Sequence, residues 1–176
     1  MNKKLMMAML AAGSVLTMTN ALAAAGTVNF NGNILDSACD VDVASQNQVV
    51  VLGDYYKTEF PTTGARTAAT QFNIILKNCP VTVTNAKVCF DGTPDLTNAS
   101  LLAIDTSVAG AATGVAINLM TADKADLPLH GSNSYTYALS STADNTLSFY
   151  AQYISTAASV TAGPANSVAN FSVVYN

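Results

Sequence analysis

The side chains in this chain whose types could support chemistry are three cysteines (Cys39, Cys79 and Cys89), one histidine (His130) and a short run of aspartates (Asp36, Asp40 and Asp42). A thiol can be a nucleophile, a metal ligand or half of a disulfide, and the redox compartment decides which. An imidazole works as a general base where a serine or cysteine nucleophile is held beside it. His130 instead follows Leu127-Pro128-Leu129 and precedes Gly131, a turn context. No nucleophile-elbow motif accompanies it, so a structural or surface role is expected. The aspartates superficially suggest a calcium cluster, yet no glycine-turned loop closed by a glutamate follows. They are expected to form a solvated polar face. No catalytic, cofactor-binding or metal-binding residue is assigned, and the chain is read as not an enzyme.

The compartment is set at the N-terminus, where Met1-Asn2-Lys3-Lys4 precedes an apolar run over 5–16 and then Ala21-Leu22-Ala23. A positive segment, an apolar segment and a small-residue cleavage site in that order make a secretion signal. The apolar run is about a dozen residues, short of the roughly 20 that a bilayer-spanning helix needs. Removal of 1–23 leaves 153 of the 176 residues, enough for one domain with a sizeable core. In an exported chain cysteines are expected to pair, and one of three is left over. The expected bridge joins Cys39 to Cys79 across 40 residue steps, a closure worth roughly 4 kcal/mol by chain entropy. Composition also permits a hairpin bridge between Cys79 and Cys89. With the first pairing Cys89 is free and, in Val88-Cys89-Phe90, is expected to be an inert buried thiol.

Charged residues make up only 10% of the chain, against roughly 25% in an average protein. Two of the seven basic residues, Lys3 and Lys4, leave with the leader, so five face eleven acidic ones for a net charge of −6. Phosphate binding needs a basic patch, which argues against nucleic acid as a partner. Nothing steers the chain to membranes.

These few groups must be carried by strands. Helix-period stretches are scarce, and short β-favouring runs recur between Gly, Asn, Asp, Pro and Ser clusters, the pattern of a sandwich or barrel. Eight strands are expected: 27–34, 48–52, 72–77, 86–90, 114–120, 134–138, 146–154 and 168–175. Most alternate in polarity, so one face of each is expected to be buried. The small-residue stretch 107–113 is expected to be a mobile surface loop, and 55–70 a second long connection. At the first strand, Gly26, Val28, Phe30, Gly32 and Ile34 share one face, and at the last Phe171, Val173 and Tyr175 do. Neither segment carries the Lys, Arg or internal Pro that usually blunts a sheet edge. Such strands either complete a closed sandwich or add to a neighbouring subunit.

The ordered landmarks resemble one family, the pilins of the chaperone-usher pathway, and among them the type 1-like fimbrial subunits. The N-terminal block Val28-Asn29-Phe30-Asn31-Gly32 leads to Asp36-Ser37-Ala38-Cys39. Val49-Val50-Val51-Leu52-Gly53 follows, then Phe72-Asn73-Ile74-Ile75-Leu76-Lys77-Asn78-Cys79. The chain closes on Ala169-Asn170-Phe171-Ser172-Val173-Val174-Tyr175-Asn176, with Gly163 fourteenth from the end and Tyr175 penultimate. The departures are Cys89 and an N-terminal extension shorter than that of major rod subunits and closer in length to minor ones.

The resemblance implies an all-β, incomplete immunoglobulin-like sandwich lacking one strand, completed by a donor strand from a partner. It implies a leader over 1–23, a donor-strand extension over 24–34 and a pilin domain over 35–176. Gly26, Val28, Phe30, Gly32 and Ile34 would be the donor strand, with Gly32 at a point where the groove admits no side chain. Gly163, Phe171, Val173 and Tyr175 would form the acceptor groove and the strand that a chaperone reads. The implied function is a structural subunit of a fimbria that polymerises by donor-strand exchange and supports bacterial adhesion. The implied partners are other pilin subunits in a homopolymer or heteropolymer, a periplasmic chaperone and an outer-membrane usher, with export through the periplasm to the cell-surface fimbrium. No cofactor is implied. A minor adaptor or terminator subunit, or a glycan-binding β-sandwich module, is the alternative.

Overall fold

The computed structural model describes residues 26–32, 34, 38–131 and 135–175. The chain divides into two units, Met1–Ile34 and Leu35–Asn176. In the first, the described residues carry no helix or strand, and Val28, Phe30 and Ile34 are exposed. The strand expected over 27–34 is not present among the described residues of that span. A strand is defined by its ladder of interstrand bonds, and the described residues of this segment make no such ladder.

In the second unit the elements are β1 (Asp40–Val41), α1 (Val43–Gln46), a 3-10 turn at Lys57–Glu59, β2 (Thr70–Lys77), β3 (Asn85–Gly92) and β4 (Leu102–Ala103). β5 (Val115–Met120), β6 (Tyr137–Ala138), β7 (Asn145–Ser155) and β8 (Ala169–Tyr175) follow. They make two antiparallel sheets, β1-β2-β7-β5-β4 and β6-β3-β8. Of the sandwich or barrel expected from the strand pattern, the sandwich is observed, as the resemblance implied.

The alternation also explains the register. Phe72, Ile74 and Leu76 of β2 lie on one face, and the pairing sets Phe72 opposite Phe149 and Ile74 opposite Leu147. A slip of one residue would turn all of them to solvent, so burial fixes the register. Ala86, Val88 and Phe90 of β3 meet them from the other sheet, and the Phe90 and Phe149 rings stand edge to face at 5.3 Å. Burying each such side chain contributes about 1.5–3 kcal/mol. Tyr137 of β6 joins this core and donates its hydroxyl to the Ser148 carbonyl at 2.7 Å, while burial pushes its pKa up.

β5 is buried on both faces. Ile117 and Leu119 face the main core, while Ala116 packs with Leu101 and Ile154 on the other side. The buried Asn118 amide there donates to Asp126 Oδ1 at 2.8 Å, and Arg66 grips both oxygens of the same carboxylate at 2.9 Å. A buried polar side chain is tolerated when its hydrogen bonds are made.

Cys39 and Cys79 form a disulfide with Cα atoms 4.2 Å apart, tying the chain before β1 to the turn after β2. Cys89 is free. It is half-buried on the outer face of β3, which corrects the expectation of a buried thiol. Val88 and Phe90 occupy the core face, and strand alternation sends the residue between them outward.

Three further expectations are corrected. Residues 48–52 belong to no strand, because they border an open groove rather than a neighbouring strand. The strand expected over 134–138 is only β6, and 132–134 lie outside the described residues. Stretch 107–113 is not simply a surface loop. Ala112 is buried in the main core, and its backbone N–H donates to Pro164 O at 2.9 Å.

Candidate functional site

The three-stranded sheet stops at β8. Among the described residues β8 pairs only with β3, which leaves the backbone groups along its other edge without a ladder. The residues of β8 alternate as its sequence dictates. Phe171, Val173 and Tyr175 turn inward against the core, and Asn170, Ser172 and Val174 turn out.

Opposite this edge runs the segment between α1 and the 3-10 turn. The helix that precedes it is capped by Asp42, whose side chain accepts from Ala44 N at 3.0 Å and pairs with Lys77 Nζ at 2.6 Å. Lys77 holds the Asp42 pKa below the ordinary carboxylate value. Gln48 Nε2 then donates to Asn73 O at 3.1 Å. Beyond it Val50 and Leu52 are half-buried, while Val49 and Val51 are exposed.

Between these two edges lies an open cleft of about 970 Å³. Its floor is sandwich core, including Phe60, Phe72, Phe90, Ile117 and Tyr153. The wall at 160–168 is pinned from behind. Asp105 N donates to Asn166 O at 2.7 Å, Ser167 Oγ to Ala103 O at 2.6 Å and Thr113 N to Thr161 Oγ1 at 2.9 Å. Tyr153 braces the same wall by donating its hydroxyl to Ala165 O at 3.0 Å, and burial pushes its pKa up. The charged residues that reach the cleft are Asp54 and Lys57.

The residues singled out in the sequence fall in different places. Gly163 and Phe171 line the cleft. Val173 and Tyr175 share the inner face of β8 and pack on the core rather than line it. The Tyr175 hydroxyl donates to Cys39 O at 3.4 Å, joining the last strand to the disulfide, and burial raises its pKa. Gly26, Val28, Phe30, Gly32 and Ile34 belong to the first unit and are exposed. The wall at 47–55 went unrecognised as part of a groove. Its one signal was Val49-Val50-Val51-Leu52, apolar on both faces, which reads equally well as an ordinary strand.

The remaining reactive side chains serve the fold. The His130 ring nitrogens stand 3.0 Å from Asp91 Oδ1 and 2.9 Å from Gly92 O, and its backbone N–H donates to Phe90 O at 3.0 Å. The histidine, in a left-handed turn at φ 57°, clasps the loop to the end of β3. Asp40 accepts from Asn78 Nδ2 at 2.9 Å. Asp36 lies outside the described residues.

A groove with an apolar floor, an unpaired strand edge on one wall and almost no charge suits an extended apolar peptide, which can supply both the missing ladder and the missing side chains. Among the described residues that line it, no nucleophile is paired with a base. Comparison with known proteins agrees with this geometry. The family model described as "Fimbrial protein" matches residues 28–176. The chain is 38% identical over 152 residues to the type-1 fimbrial protein A chain of Escherichia coli, covering 85% of this chain and 82% of that one. A crystal structure of an antigen and type I fimbria protein of Burkholderia pseudomallei is 37% identical, covers 85% of this chain and 97% of that one, and has a TM-score of 0.60. A chaperone-usher pilus structure that addresses rod uncoiling is 27% identical over 86% of this chain and 95% of that one, with a TM-score of 0.66. The chain therefore belongs to the fimbrial protein family, the structural subunits of fimbriae.

Proposed function

We propose that this fimbrial subunit polymerises by donor-strand exchange, residues 24–34 of one copy entering the groove beside β8 of the next. The observation that carries the reading is the groove itself, whose apolar floor and unpaired β8 edge lie open in the single subunit. Exposed core side chains and an unpaired edge are costly in water and prone to aggregation, so the unit needs completion by another chain.

On this reading Val28, Phe30 and Ile34, all exposed here, are the donor side chains, and Gly32 meets a narrow point of the groove. Gly163 and Phe171 line the receiving side, and Val173 and Tyr175 hold β8 in place behind it. Main-chain bonds supply a generic ladder, and alternate side chains supply specificity. The contact is head to tail and builds an open filament rather than a closed ring. Before assembly a periplasmic chaperone strand occupies the groove, and an outer-membrane usher receives the subunit after export through the periplasm. The role is structural rather than catalytic, in a homopolymer or heteropolymer at the cell surface that supports adhesion.

The test is removal of 24–32 from the processed subunit, followed by electron microscopy and sedimentation of cell-surface material. The truncated subunit is expected to be exported and to form no fibres. Fibres assembled at the normal level by the truncated chain would overturn the assignment of the donor to this segment.

A further inference from the structure

The extension holds Asn29-Phe30, Asn31-Gly32 and Asn33-Ile34 in succession, and Asn31-Gly32 is the one Asn-Gly step in the chain. Asn31 and Gly32 are both exposed, neither is in a helix or strand, and a Cβ on Gly32 would meet nothing within 4 Å. An asparagine side chain is attacked by the backbone nitrogen of the residue that follows, and the attack is limited by that residue's bulk and by backbone freedom. Glycine removes both limits. Phenylalanine after Asn29 and isoleucine after Asn33 impose them.

We propose that Asn31 is a spontaneous deamidation site and that its conversion to isoaspartate disables the extension as a donor strand. The second half rests on the donor-strand reading above. In the first step the Gly32 nitrogen bonds to Asn31 Cγ, the bond from Cγ to the side-chain nitrogen breaks, and ammonia leaves with the proton that Gly32 gave up. Water then adds across one of the two imide C–N bonds. Opening on one side gives aspartate, and opening on the other gives isoaspartate, whose main chain runs through the side-chain carbon.

Isoaspartate adds one backbone atom between Phe30 and Ile34. Strand faces alternate strictly, so this insertion shifts Ile34 out of phase with Val28 and Phe30 and breaks the ladder between them. The unpolymerised subunit therefore loses competence as it ages. Incorporation protects it. Ring closure needs the Gly32 nitrogen to swing back over the Asn31 side chain, and a strand holds ψ at about +135°, away from that geometry. By the same reasoning Asp91-Gly92, a sequence open to the same ring closure, is expected to be protected. There the step lies within β3, Gly92 pairs with Ala169, and the Asp91 carboxylate is engaged by His130 at 3.0 Å.

The experiment compares processed subunit recovered unpolymerised with subunit in fibres from the same cells, both incubated at mildly alkaline pH. Peptide mass spectrometry locates the amide-to-acid change, and isoaspartyl methyltransferase labelling identifies isoaspartate. Conversion is expected at Asn31 in the free subunit, with Asn29 and Asn33 still amides and the fibre-bound Asn31 intact. The aged subunit is expected to lose assembly relative to the same preparation tested fresh, and conversion of its isoaspartate back to aspartate by isoaspartyl methyltransferase is expected to restore it, which separates the backbone insertion from the added charge. Retention of the Asn31 amide in the free subunit overturns the proposal. So does full assembly of an aged subunit rich in isoaspartate, provided that deletion of 24–32 abolishes fibres. If that deletion leaves fibres intact, the donor-strand reading itself has failed, and the assembly half of the proposal falls with it.

Discussion

The backbone at Gly163 passes so close to Gly110 that a Cβ there would overlap the Gly110 carbonyl oxygen and stand 2.7 Å from the Ala112 nitrogen. The loop at 107–113 and the groove wall at 160–168 can lie together because no side chain intervenes. Gly163→Ala is expected to push the wall away from Ala112, a core residue, at a cost of about 1–3 kcal/mol. Urea unfolding of the purified subunit checks the magnitude, and a lowered fibre yield would show that the wall shapes the acceptor groove. An unchanged unfolding midpoint would mean that the two backbones separate freely.

The disulfide ties the start of β1 to the turn after β2, and the Tyr175 hydroxyl bonds to the Cys39 carbonyl beside it. Breaking it by replacing Cys39 and Cys79 with serine frees a long loop in the unfolded chain and is expected to cost roughly 4 kcal/mol. Cys89→Ser, on the outer face of β3, should stay within about 0.5 kcal/mol of the parent. Denaturant midpoints of the two variants, measured side by side, test both statements. A large loss from Cys89→Ser would show that this thiol does more than its position indicates.

Acid is expected to weaken the subunit. Asp42 is held below the ordinary carboxylate pKa by Lys77, Asp126 by the two-pronged bond from Arg66, and Asp105 by the Ser107 hydroxyl. A depressed folded-state pKa stabilises the fold at pH values above the unfolded pKa, and this contribution is lost as pH falls through the folded value. Thermal midpoints should therefore be level near neutrality and fall from about pH 4 downward. Asp126→Asn should lower the neutral plateau and flatten the acid limb, because Asn118 and Arg66 lose their charged acceptor. An acid limb as steep in this variant as in the parent would remove Asp126 from the account.

The long strands were legible because their cores alternate. Phe72-Ile74-Leu76, Val88-Phe90, Leu147-Phe149 and Phe171-Val173-Tyr175 each commit one face to burial, and the structure buries or half-buries those faces. β1 and β4 are two residues long, too short to have a period, and were invisible. The strand expected at 48–52 reflects the same limit from the other side. Valine prefers a pleated, half-buried surface, but pairing requires a neighbour, and whether a neighbour exists is a tertiary fact. Ala112 was assigned to a mobile loop because its surroundings are small, yet small residues are what allow the loop to approach Gly163. Cys89 could have been placed correctly, since the parity that buries Val88 and Phe90 turns it outward. The groove was anticipated only on the β8 side, because the opposite wall at 47–55 reads as an ordinary strand.

If Phe30 fills the groove, its replacement should be judged by chemistry rather than size. Transfer of its ring from full exposure in the free subunit into an apolar pocket is worth about 1.5–3 kcal/mol. Phe30→Leu keeps most of that and should assemble, more slowly. Phe30→Asp would place an unpaired carboxylate on the apolar floor of the groove, a penalty of several kcal/mol, and should abolish fibres. Asn29→Asp puts the same charge one residue away, on the face that an inserted strand turns to water, and should assemble like the parent. The sedimentable fraction of surface-sheared material distinguishes the three. A subunit that tolerates Phe30→Asp as readily as Asn29→Asp has no face buried at this segment, and the donor strand must be sought elsewhere in the chain.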